Sequence, residues 1–226
     1  MKKKNTKTIL VALGTLAAFA LWTFLIRCVD VQPIGPNGSR VGFAAINGAF
    51  HALTGVHWAL YTLTDWLGLV PIGIALGFAV LGLVQLIRRK SLLKVDRDIL
   101  ILGGFYIVVL AAYLLFETVV INFRPVLIDG KLEASYPSST TMLALCILPT
   151  AMMQLKTRIR GDAVRRAILG ILAAFTVFMV VGRLISGVHW LTDIIGGVLL
   201  SVGLVMLYAF AAKRQGKSRK NSLACV

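Results

Sequence analysis

Residues 182–193 read GRLISGVHWLTD, which contains the spacing Arg183-x5-His189-x3-Asp193 at the end of a long apolar segment. Arginine presents a planar fork of donors that matches phosphate oxygens. Histidine acts as a nucleophile or as an acid–base group near neutral pH. An aspartate four residues after a histidine lies on the same helical face and can orient the imidazole. Because the chain has only three histidines in 226 residues, this stretch predicts a phosphate-handling site.

The composition of the chain indicates that its solvent is a lipid bilayer. Hydrophobic residues make up 58% of the sequence, and the mean hydropathy is +0.85. A transmembrane helix needs about 20 predominantly apolar residues, and six segments are long enough. We therefore predict an all-α integral membrane bundle of six transmembrane helices. The predicted spans are Thr8–Ile26, Leu67–Ile87, Ile99–Val120, Ser139–Leu155, Ala167–Ile185 and Trp190–Ala211.

The net charge of +15 is also found in nucleic-acid-binding proteins, but its distribution favours a membrane protein and no nucleic-acid partner. Most of the 24 lysines and arginines lie at the two ends of the chain and in alternate loops. Six spans would place all of these groups on one side, and basic loops mark the cytoplasmic side. Both termini are therefore predicted to be cytoplasmic in a multi-pass protein of the cell membrane, with basic loops that contact anionic lipid headgroups.

The chain is predicted to form one membrane domain over residues 1–213, followed by a polar, basic cytoplasmic tail over residues 214–226. The composition of the tail is typical of disordered segments. The N-terminal segment resembles a signal peptide, but Arg27-Cys28-Val29-Asp30 follows it without a small-x-small cleavage site. We therefore interpret that segment as an uncleaved anchor.

The loops on the side opposite the basic groups contain the polar candidates. The first of these outer segments, Arg27–Asp65, includes an amphipathic stretch that predicts an interfacial helix. In the second, Ile121–Ser138, a helix is expected to start after Pro137, with Ser138 or Ser139 as its N-cap. Free backbone N–H groups at such a helix start favour an anion.

The third outer segment is the short turn at Ser186-Gly187. Six residues separate Arg183 from His189, which would put them on different faces of one continuous helix. A break at Ser186-Gly187 would instead let Arg183 end one span and His189 begin the next. Two arginines (the second being Arg124), two helix N-termini and a His–Asp pair are thus expected to meet at the outer membrane surface.

These segments resemble the type-2 phosphatidic acid phosphatase superfamily of integral-membrane lipid phosphate phosphatases. That family has the motifs K-x6-R-P, P-S-G-H and S-R-x5-H-x3-D. The corresponding stretches here are Glu117-x6-Arg124-Pro125, Pro137-Ser138-Ser139-Thr140 and Gly182-Arg183-x5-His189-x3-Asp193. The resemblance covers nearly the whole chain, since the family also has six spans and a site on the outer face.

The resemblance implies a role for each matching residue. His189 would attack phosphorus and form a phosphohistidine, while Asp193 holds its tautomer. Arg124 and Arg183 would stabilise the equatorial phosphate oxygens. The second motif, with Ser138, Ser139 and Thr140, would bind the substrate, and Ser138 would donate to one phosphate oxygen.

The departures from the family motifs concern charge and proton transfer. Glu117 stands where the family has lysine, Gly182 stands where it has serine, and Ser139-Thr140 replaces Gly-His. The second-motif histidine protonates the leaving oxygen in the family, and Thr140 has no usable pKa for that role. Candidate proton donors are Glu117 and His57, which lies in Gly55-Val56-His57-Trp58, a repeat of the tetrapeptide at residues 187–190.

The predicted function is hydrolysis of a lipid phosphate or polyprenyl diphosphate on the extracytoplasmic face. A diphosphate is favoured because its phosphate leaving group needs little acid assistance. The main alternative is a catalytically silent lipid-phosphate-binding protein, in which Glu117 pairs with Arg124 or Arg183. A transporter of a phosphorylated lipid is less favoured, because the polar residues cluster at one face and not near the bilayer midplane. No cofactor is predicted, and no His, Cys and acid cluster has the spacing of metal ligands.

Overall fold

The computed structural model describes the backbone of residues 2–223 and the side chains of residues 5–213. Over this range the chain is helical, with three isolated antiparallel bridges in the loops. Two short 3-10 turns lie at Pro36–Gly38 and Leu92–Lys94. The α-helices are α1 (Lys2–Cys28), α2 (Ala44–Thr54), α3 (Trp58–Leu67), α4 (Leu69–Arg89), α5 (Arg97–Thr118), α6 (Ser139–Arg158), α7 (Asp162–Ile185) and α8 (Leu191–Leu223).

Five stretches among the described residues are long and apolar enough to cross a membrane. They are Asn5–Cys28, Trp58–Arg89, Arg97–Thr118, Asp162–Ile185 and Leu191–Lys213. The second of these joins α3 and α4 across Gly68, so it begins before the predicted span Leu67–Ile87. Many apolar side chains on these helices point away from the bundle, such as Ile107, which is 70% exposed. This pattern is that of a multi-pass membrane protein, whose outer surface faces lipid.

The fourth predicted span, Ser139–Leu155, corresponds to α6, which is not among the five apolar stretches. The helix contains polar side chains that are buried against other helices, among them Thr141, Thr150 and Gln154. They lower its hydropathy, but they do not face lipid, because α6 packs against α4, α5, α7 and α8. The helix is thus the centre of the bundle, and its membrane crossing stays a prediction.

The apolar core joins α5, α6 and α8. It includes Leu102, Phe105, Met142, Leu204 and Tyr208. The N-terminal helix α1 packs along α8, which fixes the last helix from its other side. Because α6 and α8 pack against each other in this core, it sets the relative positions of the starts of these two helices.

The segment predicted as the first outer loop, Arg27–Asp65, contains α2 and most of α3. α2 lies where the amphipathic stretch predicts an interfacial helix, whereas α3, which follows Gly55, continues into the apolar stretch of α4. The location of α2 at a membrane surface stays a prediction. The backbone of residues 214–223 continues α8 as a helix. The predicted disorder of residues 214–226 stays a prediction, because residues 224–226 and the side chains from residue 214 onwards lie outside the described part of the chain.

The loops around Gly55 and Gly187 contact each other closely, and Gly187 is required there. Gly187 has φ +70°, and a Cβ on it would lie 1.8 Å from the carbonyl oxygen of Gly55. Gly38 has φ +72° but has open space around it, so it is a matched control.

We expect Gly38→Ala to cost about 1–2 kcal/mol, the usual price of a left-handed residue with a Cβ. Gly187→Ala should cost clearly more, because two backbone segments must also separate. Thermal unfolding of both variants in detergent measures the difference. Equal losses of stability would show that the close contact between the two loops is unimportant.

Candidate functional site

The second outer loop folds into a short hairpin that places two residues of the site. Asp129 and Gly130 adopt left-handed conformations, with φ 49° and 73°. Asp-Gly is a preferred pair for such a turn, because its twist matches that of the flanking strands. The backbone N–H of Arg124 donates to the carbonyl of Glu133 at 3.0 Å across the hairpin. Arg124 therefore lies on one arm, and Ser135 lies on the other.

His189 is buried between the hairpin and the last helix, with 2% of its surface exposed. Its Nε2 lies 3.2 Å from Nη1 of Arg124, and its Nδ1 lies 3.1 Å from the carbonyl oxygen of Ser135. An arginine nitrogen can only donate, so Nε2 accepts that bond. The proton is then on Nδ1, which donates to Ser135. The lone pair of Nε2 therefore faces the guanidinium of Arg124.

Asp193 acts on His189 through a third residue. Its Oδ2 is 3.9 Å from Nδ1 of His189, which is too long for a hydrogen bond. The hydroxyl of Ser135 lies between them, 3.0 Å from Nδ1, and donates to Oδ2 at 2.5 Å. The sequence did not indicate a role for Ser135. Ser135 lies two residues before Pro137, a position that does not distinguish it from other loop serines.

The last helix begins at Leu191, so the prediction that His189 opens it is wrong by two residues. Trp190 is the N-cap position, and Asp193 is the third residue of the helix. The carboxylate of Asp193 accepts the backbone N–H of Trp190 at 2.9 Å, as the acidic residue of a capping box does. The side chain of Asn122 donates to its other oxygen at 3.3 Å. The proximity of His189 and Asp193 thus comes from helix capping and not from a shared helical face.

Arg183 lies in the last turn of α7, which ends at Ile185, so the predicted break after Arg183 is confirmed. The side chain is 1% exposed. Its guanidinium lies 3.4 Å from both Thr64 and Asp65 and stacks 4.9 Å above the ring of Tyr61. Its buried Nε has no hydrogen-bond partner among the described residues. The guanidinium is therefore anchored through its two terminal nitrogens, and its Nε donor is unpartnered.

A cavity of about 680 Å³ lies beside these groups. Arg124 and Arg183 line it, together with Ser139 and Thr140 from the first turn of α6. Apolar side chains from α4, α5 and α6, such as Leu69 and Leu143, form other parts of its wall. His189 does not line the cavity, because Arg124 lies against its Nε2. Attack on phosphorus would require Arg124 to exchange this contact for a phosphate oxygen.

Ser138 occupies the predicted N-cap position of α6, but its hydroxyl does not face the cavity. It is fully buried and donates to the hydroxyl of Thr141 at 3.0 Å. Ser139 and Thr140 follow it into the cavity wall. The polar side chains that this motif places in the cavity wall are therefore those of Ser139 and Thr140.

The two candidate proton donors lie in different places. Glu117, at the end of α5, lines the cavity. Among the described side chains it forms no ion pair with Arg124 or Arg183, which pair instead with Glu133 at 3.1 Å and Asp65 at 3.4 Å.

His57 is exposed and is not part of the cavity wall. Its backbone N–H donates to the carbonyl of Ser186 at 3.0 Å. The repeated tetrapeptide thus forms a loop–loop contact next to the site.

The electrostatic environment keeps His189 neutral. Burial lowers the pKa of His189 well below its ordinary value, and the positive charges of Arg124 and Arg183 lower it further. The hydrogen bond to the carbonyl of Ser135 opposes these effects in part. A neutral imidazole with its proton on Nδ1 is the form in which Nε2 can act as a nucleophile at neutral pH.

The arrangement provides a nucleophile, two guanidinium groups and a helix start, which together suit a phosphate group. Within the described residues, no group of three or more His, Cys, Asp or Glu side chains could hold a metal ion.

Comparisons with known proteins support the family resemblance. The model of the PAP2 superfamily matches residues 120–217. This range contains Arg124, Arg183, His189 and Asp193, whereas Glu117 precedes it. No curated protein gives a significant match.

One solved structure is similar over 91% of this chain and 96% of its own length, with a TM-score of 0.52 and 21% sequence identity. It is the first transmembrane PAP2 type phosphatidylglycerolphosphate phosphatase from Bacillus subtilis. At this level of identity the likeness shows a common fold. The resemblance to the PAP2 superfamily is thereby confirmed.

Proposed function

Because residues 120–217 match the PAP2 superfamily, we propose that the chain is a membrane phosphatase that hydrolyses a lipid phosphate or polyprenyl diphosphate. The observation that carries this proposal is the state of His189. Its Nε2 faces the Arg124 guanidinium at the edge of the cavity, while Ser135 holds its Nδ1. The general phosphatase role is supported by the family match and by the fold of the structural neighbour.

In the proposed first step, Nε2 of His189 attacks phosphorus and the bond between phosphorus and the leaving oxygen breaks. The products are a phosphohistidine and a lipid alcohol, or a lipid phosphate if the substrate is a diphosphate. Positive charge develops on the imidazole during attack. The Ser135 hydroxyl, which donates to the carboxylate of Asp193, accepts from Nδ1–H and stabilises this charge. Water then attacks the phosphohistidine, and His189 leaves as inorganic phosphate forms.

Phosphate binding is assigned to three sources of donors. Arg124 turns from Nε2 towards an equatorial oxygen, and Arg183 offers its guanidinium from the cavity wall. The start of α6 supplies backbone N–H groups and the hydroxyls of Ser139 and Thr140. Preorganised donors of this kind stabilise the charge that develops on a transferring phosphoryl group.

Glu117 is the better candidate for the proton donor, because it lines the cavity and is not paired with an arginine. We expect Glu117→Gln to lower kcat for a phosphomonoester lipid by about 10²–10⁴-fold, the usual contribution of a general acid. The loss should be smaller for a diphosphate. Steady-state kinetics with a phosphomonoester and a diphosphate lipid measures the two losses.

His57→Ala is the matched control, and its kcat for the same lipids should resemble that of the wild type. The assignment to Glu117 would be wrong if Glu117→Gln kept the wild-type kcat for the phosphomonoester.

We also propose that α6 completes a six-span bundle with both termini in the cytoplasm and the site on the extracytoplasmic side. The basic groups support this topology, since those at residues 88–97 and 156–166 flank the ends of helices opposite to the site. Residues 1–213 would then form the single membrane domain, with residues 214–226 as its cytoplasmic tail.

A second candidate function is lipid-phosphate binding without turnover. The contact between Arg124 and Nε2 of His189 favours it, because this contact keeps the nucleophile out of the cavity wall. Thr140 also leaves the second motif without an acid. In this case the site would bind a lipid phosphate and hold it intact.

A panel of lipid phosphates distinguishes the two functions. Purified wild-type protein and His189→Ala are assayed for phosphate release from monoester and diphosphate lipids of several chain lengths. Release by the wild type alone supports the phosphatase. Binding of these lipids by both proteins without release supports the second candidate.

A further inference from the structure

Asn47 lies in α2, far in sequence from the site, yet it contacts the first turn of α8. Its side chain is fully buried. The backbone N–H of Thr192 donates to its Oδ1 at 3.2 Å, and its Nδ2 donates to the hydroxyl of Thr192 at 3.0 Å. The Nδ2 also donates to the carbonyl of Gly42 at 2.8 Å, which fixes the side chain to the start of its own helix.

This contact supplies a cap that α8 does not provide for itself. The first N–H groups of a helix have no partner within the helix. Trp190 occupies the N-cap position of α8, and its side chain has no acceptor for them. Asp193 accepts the N–H of Trp190, and Asn47 accepts that of Thr192. The start of α8 is therefore capped by a residue 145 positions earlier in the chain.

The capped turn carries the groups on which His189 depends. Trp190 and Thr192 are the neighbours of His189 and Asp193 in sequence. The carboxylate of Asp193 accepts a hydrogen bond from the Ser135 hydroxyl, whose oxygen lies 3.0 Å from Nδ1 of His189. A shift of the first turn of α8 would therefore change the distance between Asp193 and Ser135. One turn further along α2, the ring of His51 packs against Trp190 at 5.5 Å.

We propose that Asn47 is a positioning residue for His189 and Asp193, an inference that rests on the proposed phosphatase function. It lines no part of the cavity described above, so it acts through Thr192 and not on the substrate. Its loss changes the orientation of the nucleophile and leaves the phosphate-binding arginines in place. The turnover number then falls, whereas the affinity for the lipid phosphate changes little.

The test compares kcat and KM of Asn47→Ala and Gln154→Ala with those of the wild type, with all three proteins purified in detergent. Gln154 is also buried and joins two helices, through Tyr208 and the carbonyl of Asp98, but it lies at the opposite end of α6. We expect Asn47→Ala to lower kcat about 10–100-fold, as loss of an outer hydrogen-bond partner does at other sites. KM should stay within about twofold, the signature of an interaction that matters only in the transition state. Gln154→Ala should leave kcat nearly unchanged, and equal losses of kcat would overturn the proposal.

A second readout does not depend on turnover. The chain has three histidines, so ¹⁵N-histidine NMR can follow the side chain of His189, assigned by its loss in His189→Gln. The wild type and Gln154→Ala should show one tautomer, with the proton on Nδ1. Asn47→Ala should show a mixture, and an unchanged tautomer would overturn the proposal. If the wild type releases no phosphate, the proposed function fails, while this spectrum still decides the role of Asn47.

Asn47→Asp provides the conservative rescue. A carboxylate keeps the acceptor for the N–H of Thr192, and a negative charge near a helix N-terminus is favourable. It loses the amide donor to the carbonyl of Gly42, so this variant should recover part of the kcat while it keeps the single tautomer. It also keeps the test decisive if Asn47→Ala does not fold, since loss of the single tautomer in folded Asn47→Asp would contradict the proposal.

Discussion

Replacing His189 with alanine is expected to lower phosphate release by at least about 10⁴-fold, since loss of a nucleophile leaves little more than binding and charge stabilisation. The imidazole is the group that forms the bond to phosphorus, and no other described nucleophile lies against Arg124 at this point. The measurement is the rate of phosphate release from a saturating lipid diphosphate by the purified protein in detergent.

The other two histidines provide matched controls for this prediction. His57 is exposed, and His51 lies in α2 and packs against Trp190. His57→Ala should retain the wild-type rate, and His51→Ala should lose far less activity than His189→Ala. A His189→Ala protein that releases phosphate at the wild-type rate would exclude a phosphohistidine mechanism.

Replacing Arg124 with glutamine is expected to lower kcat/KM by about 10²–10³-fold, the usual effect of removing one preorganised donor. Arg124 is the guanidinium that contacts Nε2, and it is the first donor available to the phosphate that Nε2 attacks. Steady-state kinetics with a lipid diphosphate measures this loss.

The same substitution should shift the pH dependence in a defined direction. Nε2 must be unprotonated to attack, so the rate falls as the pH drops through the pKa of His189. Burial and the positive charges of Arg124 and Arg183 lower this pKa. The wild type should therefore stay active below the pH at which a free imidazole is protonated. Arg124→Gln removes one positive charge, so the acid-side fall should move to higher pH.

Glu133→Gln is the control for Arg124. Glu133 pairs with Arg124, but its side chain is 42% exposed, so the ion pair contributes only about 0–1 kcal/mol. Its removal should change kcat/KM by less than about fivefold, given this small energy. If Glu133→Gln were as damaging as Arg124→Gln, the arginine would act through the hairpin fold and not on phosphate.

The sequence identified those parts of the site that depend on local spacing. The break at Ser186-Gly187 follows from the need to place Arg183 and His189 at one surface, and α7 ends at Ile185. The membrane-spanning helices follow from runs of apolar residues. The exception is α6, at the centre of the bundle, whose polar side chains are buried by other helices. Its hydropathy is therefore too low to identify it as a span from the sequence with the same clarity.

The sequence could not identify contacts between distant segments. Ser135 and Asn47 hold the His189–Asp193 pair, but they come from loops or helices far from it in sequence. The sequence also does not show the direction in which a side-chain hydroxyl points. Ser138 lies at the predicted helix start, yet its hydroxyl bonds to Thr141, and Ser139 and Thr140 line the cavity instead. These outcomes depend on tertiary packing, which the spacing of residues in one sequence does not report.

Identification of the phosphorylated residue tests most directly whether His189 is the nucleophile. Wild-type protein is mixed with a lipid diphosphate, quenched at alkaline pH where phosphohistidine survives, and digested for mass spectrometry. We expect a phosphoryl group on the peptide that contains His189 and none on the same peptide of His189→Ala. Phosphate release by the wild type with the label on another residue, or with no covalent label under rapid quench, would exclude His189 as the nucleophile.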